Sequence, residues 1–170
     1  MADTYTQIHI HFVFAVKYRQ AMIYEAIRER IEKYISGIVD NLGHKVLAIY
    51  CMPDHLHLLI GLRPSQSIAD LMREVKSRSS HFVNEEHLTG KKFAWQNGYG
   101  AFSYARSQVT TVINYILRQP EHHKKQSFKE EYLESLKKFE VDYKPEYLFD
   151  WIEPTCKPGD TTIQSGNINL

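Results

Sequence analysis

The 170-residue sequence predicts an α+β fold of the ferredoxin-like (RRM-like) kind, a β-α-β-β-α-β antiparallel sheet with added C-terminal helices. Short apolar runs at 6–16 and 55–62 favour strands. Residues 24–42 repeat apolar side chains at helical spacing, and a second helical segment precedes a last short strand. In this pattern two helices cover one face of the sheet, and the first and third strands lie side by side at its centre.

The first half of the chain is predicted to run strand, helix, strand, strand. The helix at 24–42 has one apolar face, formed by Ile27, Ile31, Tyr34, Ile35 and Ile38. Gly43 ends this helix, since glycine takes the left-handed conformation that often follows a last turn. The strands at 45–50 and 55–62 are joined by a turn that contains Pro53 and Asp54.

The second half is predicted to begin with a helix from Ser67 to about residue 87. Ser67 is the cap of this helix, with Asp70 three residues later. A loop at 89–100 leads into a strand at 101–105. Ser127 and Glu130 form a capping box at the start of the last helix, which runs to about residue 139.

Between these elements, residues 108–119 are predicted to form an amphipathic helix that carries a tyrosine away from its apolar stripe. The stripe consists of Val109, Val112, Ile113, Ile116 and Leu117. Pro120 disfavours continuation of the helix. At ~100° per residue, Tyr115 lies roughly 130° from the centre of the stripe, with Gln119 one turn further on. Tyr115 is therefore a candidate for chemistry, although an ordinary surface tyrosine explains the pattern equally well.

Two His-x-His pairs lie in predicted strands. His55 and His57 share one face of their strand because side chains alternate, and Leu56, Leu58 and Ile60 point to the other face. Two imidazoles held side by side can bind a metal ion. His9 and His11 form a second pair of the same kind. For either pair, hydrogen-bonded histidines on a half-exposed sheet face are the more common explanation.

Four segments together resemble a known family. Met52–Leu59, with the letters MPDHLHLL, resembles the HUH signature (His, hydrophobic, His) of single-tyrosine transposases of bacterial insertion sequences. Relatives of that family include transposases associated with repetitive extragenic palindromes. Segments 11–19, 95–103 and 114–119 resemble, in chain order, its first strand with a basic exit, the loop and strand before the catalytic helix, and that helix. The resemblance covers about residues 5–140.

The resemblance implies a DNA transposase that cleaves and rejoins single-stranded DNA at insertion-sequence or palindrome ends through a 5′-phosphotyrosine. It implies Tyr115 as the nucleophile, and His55, His57 and Gln119 as ligands of a divalent metal, Mg or Mn. It gives His9 and His11 no such role. Imidazoles favour softer metals than Mg, so Mn is the physically easier of the two.

The same resemblance implies partners. Single-stranded DNA, with hairpin ends, is the expected substrate. A homodimer is also expected, in which the tyrosine helix of one subunit completes the histidine site of the other.

The charge distribution is compatible with a nucleic-acid partner. The net charge of +1 is low for a DNA-binding protein. However, residues 1–125 contain 16 Lys and Arg against 11 Asp and Glu, whereas residues 126–170 contain 5 against 9. Cations beside aromatic rings suit single strands, although a solvated face is the more common explanation of any single cluster. The candidate DNA contacts are Lys17, Tyr18, Arg19, Arg73, Lys76, Arg78, Lys91, Lys92 and Trp95.

The remaining composition sets broad limits. A hydrophobic content of 43% is enough for a core, and 2 cysteines give no disulfide framework. The chain opens with no signal sequence and has no apolar run long enough to span a membrane, so a cytoplasmic location is expected. Residues 1–140 are expected to form the transposase domain. Residues 141–170 form an acidic, aromatic tail that docks over 143–152 and is mobile in its last dozen residues.

Two other functions stay open. A non-catalytic or domesticated single-stranded nucleic-acid-binding protein on the same fold would need neither Tyr115 nor a metal. A zinc hydrolase could use His55 and His57, but the sequence offers no obvious third ligand on a nearby strand, and Tyr115 stays unexplained. The transposase is preferred because all four candidate groups are present.

Overall fold

The computed structural model of the chain describes residues 4–148, which form one four-stranded antiparallel sheet with the order β2-β3-β1-β4. The strands and helices, in chain order, are β1 (His9–Ala15), α1 (Glu25–Asn41), β2 (Lys45–Cys51), β3 (His55–Gly61), α2 (Ile68–Glu85), β4 (Gly100–Tyr104), α3 (Val109–Leu117), α4 (Gln119–His122) and α5 (Phe128–Lys138). The predicted β-α-β-β-α-β order is confirmed, and β1 and β3 are the central strands as expected.

The main core lies between the sheet and the helices α1 and α2. Alternate residues of the two central strands point to this face and are fully buried, namely Phe12, Phe14, Leu56, Leu58 and Ile60. They pack against apolar residues of the two helices, including Ile31, Ile35, Leu71 and Val75. Burial of each such side chain contributes about 1.5–3 kcal/mol relative to exposure. This apolar face fixes the positions of both central strands.

The opposite face of the sheet carries the histidines and is covered by α3 and α5. On this face Val13 of β1 is paired with His57, and Ala15 with His55. Helix α3 packs Val109, Val112 and Ile116 against Ala48 and Leu59. Helix α5 packs its apolar side chains over β1 and β4. Helix α3, which carries Tyr115, therefore packs on the face of the sheet opposite α1 and α2.

The end of α3 differs from the prediction. The helix ends at Leu117, which is 53% exposed and not part of the buried stripe. Arg118 leaves helical geometry at φ −100° and ψ 19°, and the short helix α4 then starts at Gln119. Pro120 lies in the first turn of α4, where its missing N–H costs nothing. The proline thus begins a new helix instead of only ending the previous one.

Residues 141–148 follow α5 along the edge of the sheet. Leu148 packs against the apolar cluster around Phe128 and Tyr132, whereas Tyr143 and Tyr147 are 47% and 79% exposed. Docking is therefore partial within the described part of the tail. The rest of the expected docking segment and the last dozen residues, for which mobility was expected, lie outside the described residues. Among residues 4–148, no helix has the length and apolar character needed to cross a membrane.

Candidate active site

His55 and His57 lie side by side on the open face of β3, each 1% exposed, with ring centroids 5.2 Å apart. Their burial follows from the central position of β3 and from the cover provided by the later helices. A buried imidazole needs defined partners for both ring nitrogens. The identity of those partners determines what each ring can do.

The orientation of His55 is fixed by Asp54. The Nδ1–H of His55 donates to Oδ1 of Asp54 at 2.7 Å, and Nε of Arg19 donates to Oδ2 at 3.0 Å. Burial of Asp54 would raise the pKa of its carboxyl, but His55 and Arg19 outweigh it and bring that pKa to about 2. The ring of His55 also stacks on Phe128, with centroids 3.9 Å apart. Its Nε2, the nitrogen that does not face Asp54, is buried and makes no hydrogen bond of acceptable geometry.

His57 is oriented by His11, a residue of the other His-x-His pair. Nδ1 of His57 lies 2.9 Å from Nε2 of His11 on the neighbouring strand. Burial lowers the pKa of His11 to about 3, so this ring is neutral and can accept the proton of His57 Nδ1. Burial, and then the neighbouring imidazoles, lower the pKa of His57 well below its usual value. Nε2 of His57 is thereby left as a lone-pair donor beside that of His55.

Three side chains close the site: Gln119 of α4, His123 directly after α4, and Glu131 of α5. Gln119 is 0% exposed, and its Nε2 donates to Oε1 of Glu131 at 3.1 Å. Nε2 of His123 lies 2.9 Å from Oε1 of Gln119 and 2.8 Å from Oε2 of Glu131. Oε1 of Glu131 is also 3.5 Å from Nε2 of His57. The predicted ligand Gln119 is therefore at the site, together with two residues that the sequence analysis did not identify.

Tyr115 borders this cluster from α3. Its ring centroid is 6.0 Å from that of His57 and 6.4 Å from that of His11, and both contacts are edge-on. The side chain is half-buried, and a cavity of about 480 Å³ opens beside it between α3 and α5. The tyrosine kept off the apolar stripe thus lies between the buried histidines and an open cavity.

The residues of the site fit a divalent cation. One ligand atom from each of His55, His57, His123 and Glu131 lies within 4.8 Å of all the others. Nε2 of both strand histidines and Oε2 of Glu131 are buried without a hydrogen bond of acceptable geometry. Burial, and then Glu134, raise the pKa of Glu131 to about 8, because a negative charge is costly where water is excluded and another carboxylate is near. The cluster could therefore hold a metal ion, and the third ligand that a zinc enzyme would need is present.

His123 and Glu131 were missed because they follow the histidine strand by more than sixty residues. One signal was available in the sequence. Glu131 lies on the buried stripe of α5 between Phe128 and Tyr132, where an apolar side chain is expected. A carboxylate at such a position needs a partner. No comparable signal marked His123.

The candidate DNA contacts divide into exposed and engaged residues. Lys17, Tyr18, Arg73, Arg78, Lys91 and Lys92 are exposed. Arg19 is instead held by Asp54 and lies 4.7 Å over the ring of Phe128. The side chains of these exposed residues are accessible to a phosphate group.

Trp95 and Lys76 have structural partners. Trp95 is 6% exposed, packs edge-on against Phe14, and donates from Nε1 to Oγ of Ser79 at 2.8 Å. This burial leaves almost no ring surface for stacking on a base, so its expected role as a DNA contact is not supported. Nζ of Lys76 donates to the carbonyls of Gln96 and Gly98 at 2.6 Å each. Lys76 therefore holds the loop before β4.

The amino-acid sequence is similar to those of known transposases. Residues 4–119 match the family model described as Transposase IS200 like. The chain is 26% identical over 118 residues to the ISDra2 transposase TnpA of Deinococcus radiodurans, covering 66% of this chain and 84% of the relative. It is 26% identical over 130 residues to the transposase for insertion sequence element IS200 of Salmonella typhimurium, covering 73% and 84%.

Solved structures show the same fold. A putative transposase from Deinococcus radiodurans superimposes with a TM-score of 0.54 at 24% identity, covering 70% of this chain and 96% of that one. A REP-associated tyrosine transposase bound to a REP hairpin superimposes with a TM-score of 0.56 at 15% identity, covering 99% and 98%. The second similarity extends beyond the segment matched by the family model.

Proposed function

The chain belongs to the IS200-like transposase family, and on that premise we propose that it cleaves and rejoins single-stranded DNA through a 5′-phosphotyrosine on Tyr115. One observation carries the proposal. Tyr115 lies between an open cavity and two buried histidines whose Nε2 atoms have no hydrogen-bond partner in the described structure. An ordinary surface tyrosine would have no reason to adjoin such a pair.

The metal is part of this proposal. His55, His57 and Gln119 would hold a divalent ion, Mg or Mn. When bound there, the ion supplies charge that polarises a phosphate and offsets the negative charge that develops during cleavage. Asp54 and His11 fix the ring orientations, so that both Nε2 atoms point to one place.

The Tyr115 hydroxyl would act as the nucleophile. Its oxygen attacks phosphorus, the bond from phosphorus to the 3′ oxygen breaks, and the leaving oxygen takes up a proton to give a free 3′-OH. The phenolic proton must leave, because a phenol with a pKa near ~10 is mostly protonated at neutral pH. The phosphotyrosine retains the energy of the broken bond. A 3′-OH can therefore reverse the reaction and rejoin strands without ATP.

The DNA partner is proposed from the solved relative that holds a hairpin and from the exposed cations. Lys17 and Tyr18 follow β1, and Lys91 and Lys92 lie in the loop before β4. Cations of this kind contact phosphates, and an exposed ring such as Tyr18 can stack on a base. We propose single-stranded DNA with hairpin ends as the substrate.

Tyr115→Phe tests the central claim. The untagged protein is incubated with single-stranded DNA from the flanks of its own gene and scored for a covalent protein–DNA adduct on a denaturing gel. We expect the adduct to disappear in the variant while DNA binding is retained, because only one hydroxyl is removed. Tyr24→Phe, at an exposed tyrosine before α1, is the control and should form the adduct normally. DNA binding with no adduct from the unmodified protein would favour the non-catalytic alternative.

The assembly is a separate question. A homodimer with sites completed between subunits is the expectation from the family, yet Tyr115 already borders the histidines of its own chain. Mixing Tyr115→Phe with His57→Ala protein distinguishes the two arrangements. Adduct formation by the mixture supports sites shared between subunits. No adduct, with both variants folded, supports a site contained in one chain.

A further inference from the structure

We propose that His123 and Glu131, in place of Gln119, are ligands of the same metal as His55 and His57, so that four protein side chains hold one first-row transition-metal ion and tie α5 to the sheet. The idea deepens the proposed function and depends on it only for the presence of a metal. It adds two residues that lie beyond the segment matched by the family model, which ends at residue 119. It also narrows the choice of metal.

The positions of the donor atoms carry the proposal. Ligand atoms about 2.1 Å from a tetrahedral ion lie roughly 3.4 Å apart. The four donor atoms of His55, His57, His123 and Glu131 are all within 4.8 Å of one another, so shifts of about 1 Å or less would close them around an ion. Oε1 of Glu131 is already 3.5 Å from Nε2 of His57.

A network of hydrogen bonds alone does not account for the cluster. Gln119 connects His123 with Glu131, but among the described residues Nε2 of His55 and Nε2 of His57 make no hydrogen bond of acceptable geometry, and neither does Oε2 of Glu131, although Nε2 of His123 lies 2.8 Å from it. Buried polar atoms without partners are costly, and three at one place point to a common missing ligand. Two of them are lone-pair donors fixed by Asp54 and His11, which is the arrangement found behind metal-binding histidines.

The donor set selects the class of metal. Three imidazoles and one carboxylate favour ions such as Zn²⁺, Fe²⁺ or Mn²⁺, whereas Mg²⁺ prefers oxygen ligands and keeps several waters. A carboxylate is a harder ligand than an imidazole, so Mn²⁺ remains among the ions that the site can bind. Because Glu131 lies on α5, the metal would also connect this helix to β3.

The test measures metal binding without DNA. Untagged protein freed of metal by a chelator is titrated calorimetrically with MnCl₂, ZnCl₂ and MgCl₂. We expect Zn²⁺ and Mn²⁺ to bind more tightly than Mg²⁺, and Glu131→Gln to weaken Mn²⁺ binding at least about tenfold. The control is Glu121→Gln, which removes an exposed carboxylate from α4 and should leave the affinity unchanged. Equal affinity in Glu131→Gln and the unmodified protein would overturn the assignment of Glu131.

A second measurement does not depend on a variant that folds. Hydrogen exchange of the unmodified protein is followed with and without Mn²⁺. Slower exchange across α5 on metal addition supports the link between this helix and the sheet. Exchange that slows in β3 but not in α5 would show a metal on the strand histidines alone and would overturn the proposal. Both measurements are independent of strand cleavage, so a negative adduct experiment would leave this result standing.

Discussion

His11→Phe is expected to weaken both the metal site and the fold, although His11 is not itself a proposed ligand. The substitution keeps a planar ring in a position that is 3% exposed and removes both ring nitrogens, including the Nε2 that accepts from His57. The Nδ1–H of His57 then stays buried without a partner, which costs about 1–3 kcal/mol of folding stability. His57 can avoid this cost by moving its proton to Nε2, but the lone pair is then lost from the site.

The expected loss of metal affinity follows from the move of the His57 proton from Nδ1 to Nε2. Removing the partner behind a metal-binding histidine weakens affinity about 10–100-fold, which corresponds to about 1.4–2.7 kcal/mol. Calorimetric titration with Mn²⁺ measures the affinity, and urea unfolding in chelator-containing buffer measures the stability separately. His9→Phe is the matched control, since His9 is a half-buried residue at the start of the same strand. If the two variants gave the same metal affinity and the same unfolding free energy, the proposed role of His11 would be wrong.

Three further outcomes are expected. Ile116→Ala should lower the free energy of unfolding by about 2–5 kcal/mol, because this side chain of α3 is fully buried. Leu117→Ala, at an exposed position, should change the free energy of unfolding by less than about 0.5 kcal/mol. Equal effects of the two substitutions in urea unfolding would contradict the observed end of the stripe. Burial lowers the pKa of Lys76 to about 8. As the pH rises, the folded state therefore loses this proton at a lower pH than the unfolded state does. The unfolding free energy should consequently rise with pH between 8 and 10.5. Lys76→Met should lack that rise in pH-dependent urea unfolding, and a variant that kept it would refute the assignment. Lys91→Ala should reduce the slope of log affinity for single-stranded DNA against log salt by about 0.7, as expected for one lost phosphate contact; an unchanged slope would remove Lys91 from the DNA-binding surface.

Much of the fold could be predicted because its signals are local. The alternation in β3 places leucines and histidines on opposite faces, and the structure has both sets as expected. The end of α3 could not be predicted in the same way. A proline is compatible with both the end of one helix and the first turn of the next. The two arrangements are distinguished only by the tertiary structure, in which Gln119 is packed inside the site.

The site could be predicted only in part, since its halves come from distant parts of the chain. His55 and His57 lie on one strand, and Tyr115 and Gln119 are spaced by about one helical turn in the sequence. Each pair can therefore be recognised from the local sequence. Glu131 meets them only through the tertiary packing of α5. Trp95 was mistaken for a surface residue because lysines precede it in the sequence, whereas the loop turns its ring into the core.

The pairing of β1 with β3 has a consequence for errors in folding. Leu56 and Leu58 alternate with His55 and His57 along one strand, and Val13 lies opposite His57 in the native register. A slip of one residue would exchange the two faces of β3, so that the imidazoles would enter the apolar core and the leucines would line the cavity beside Tyr115. Such a chain would bury two polar rings without partners and would have no ligands where the metal is expected. A strand misaligned in this way would lack the proposed site altogether, so the proposed strand cleavage depends on the correct alignment of β3.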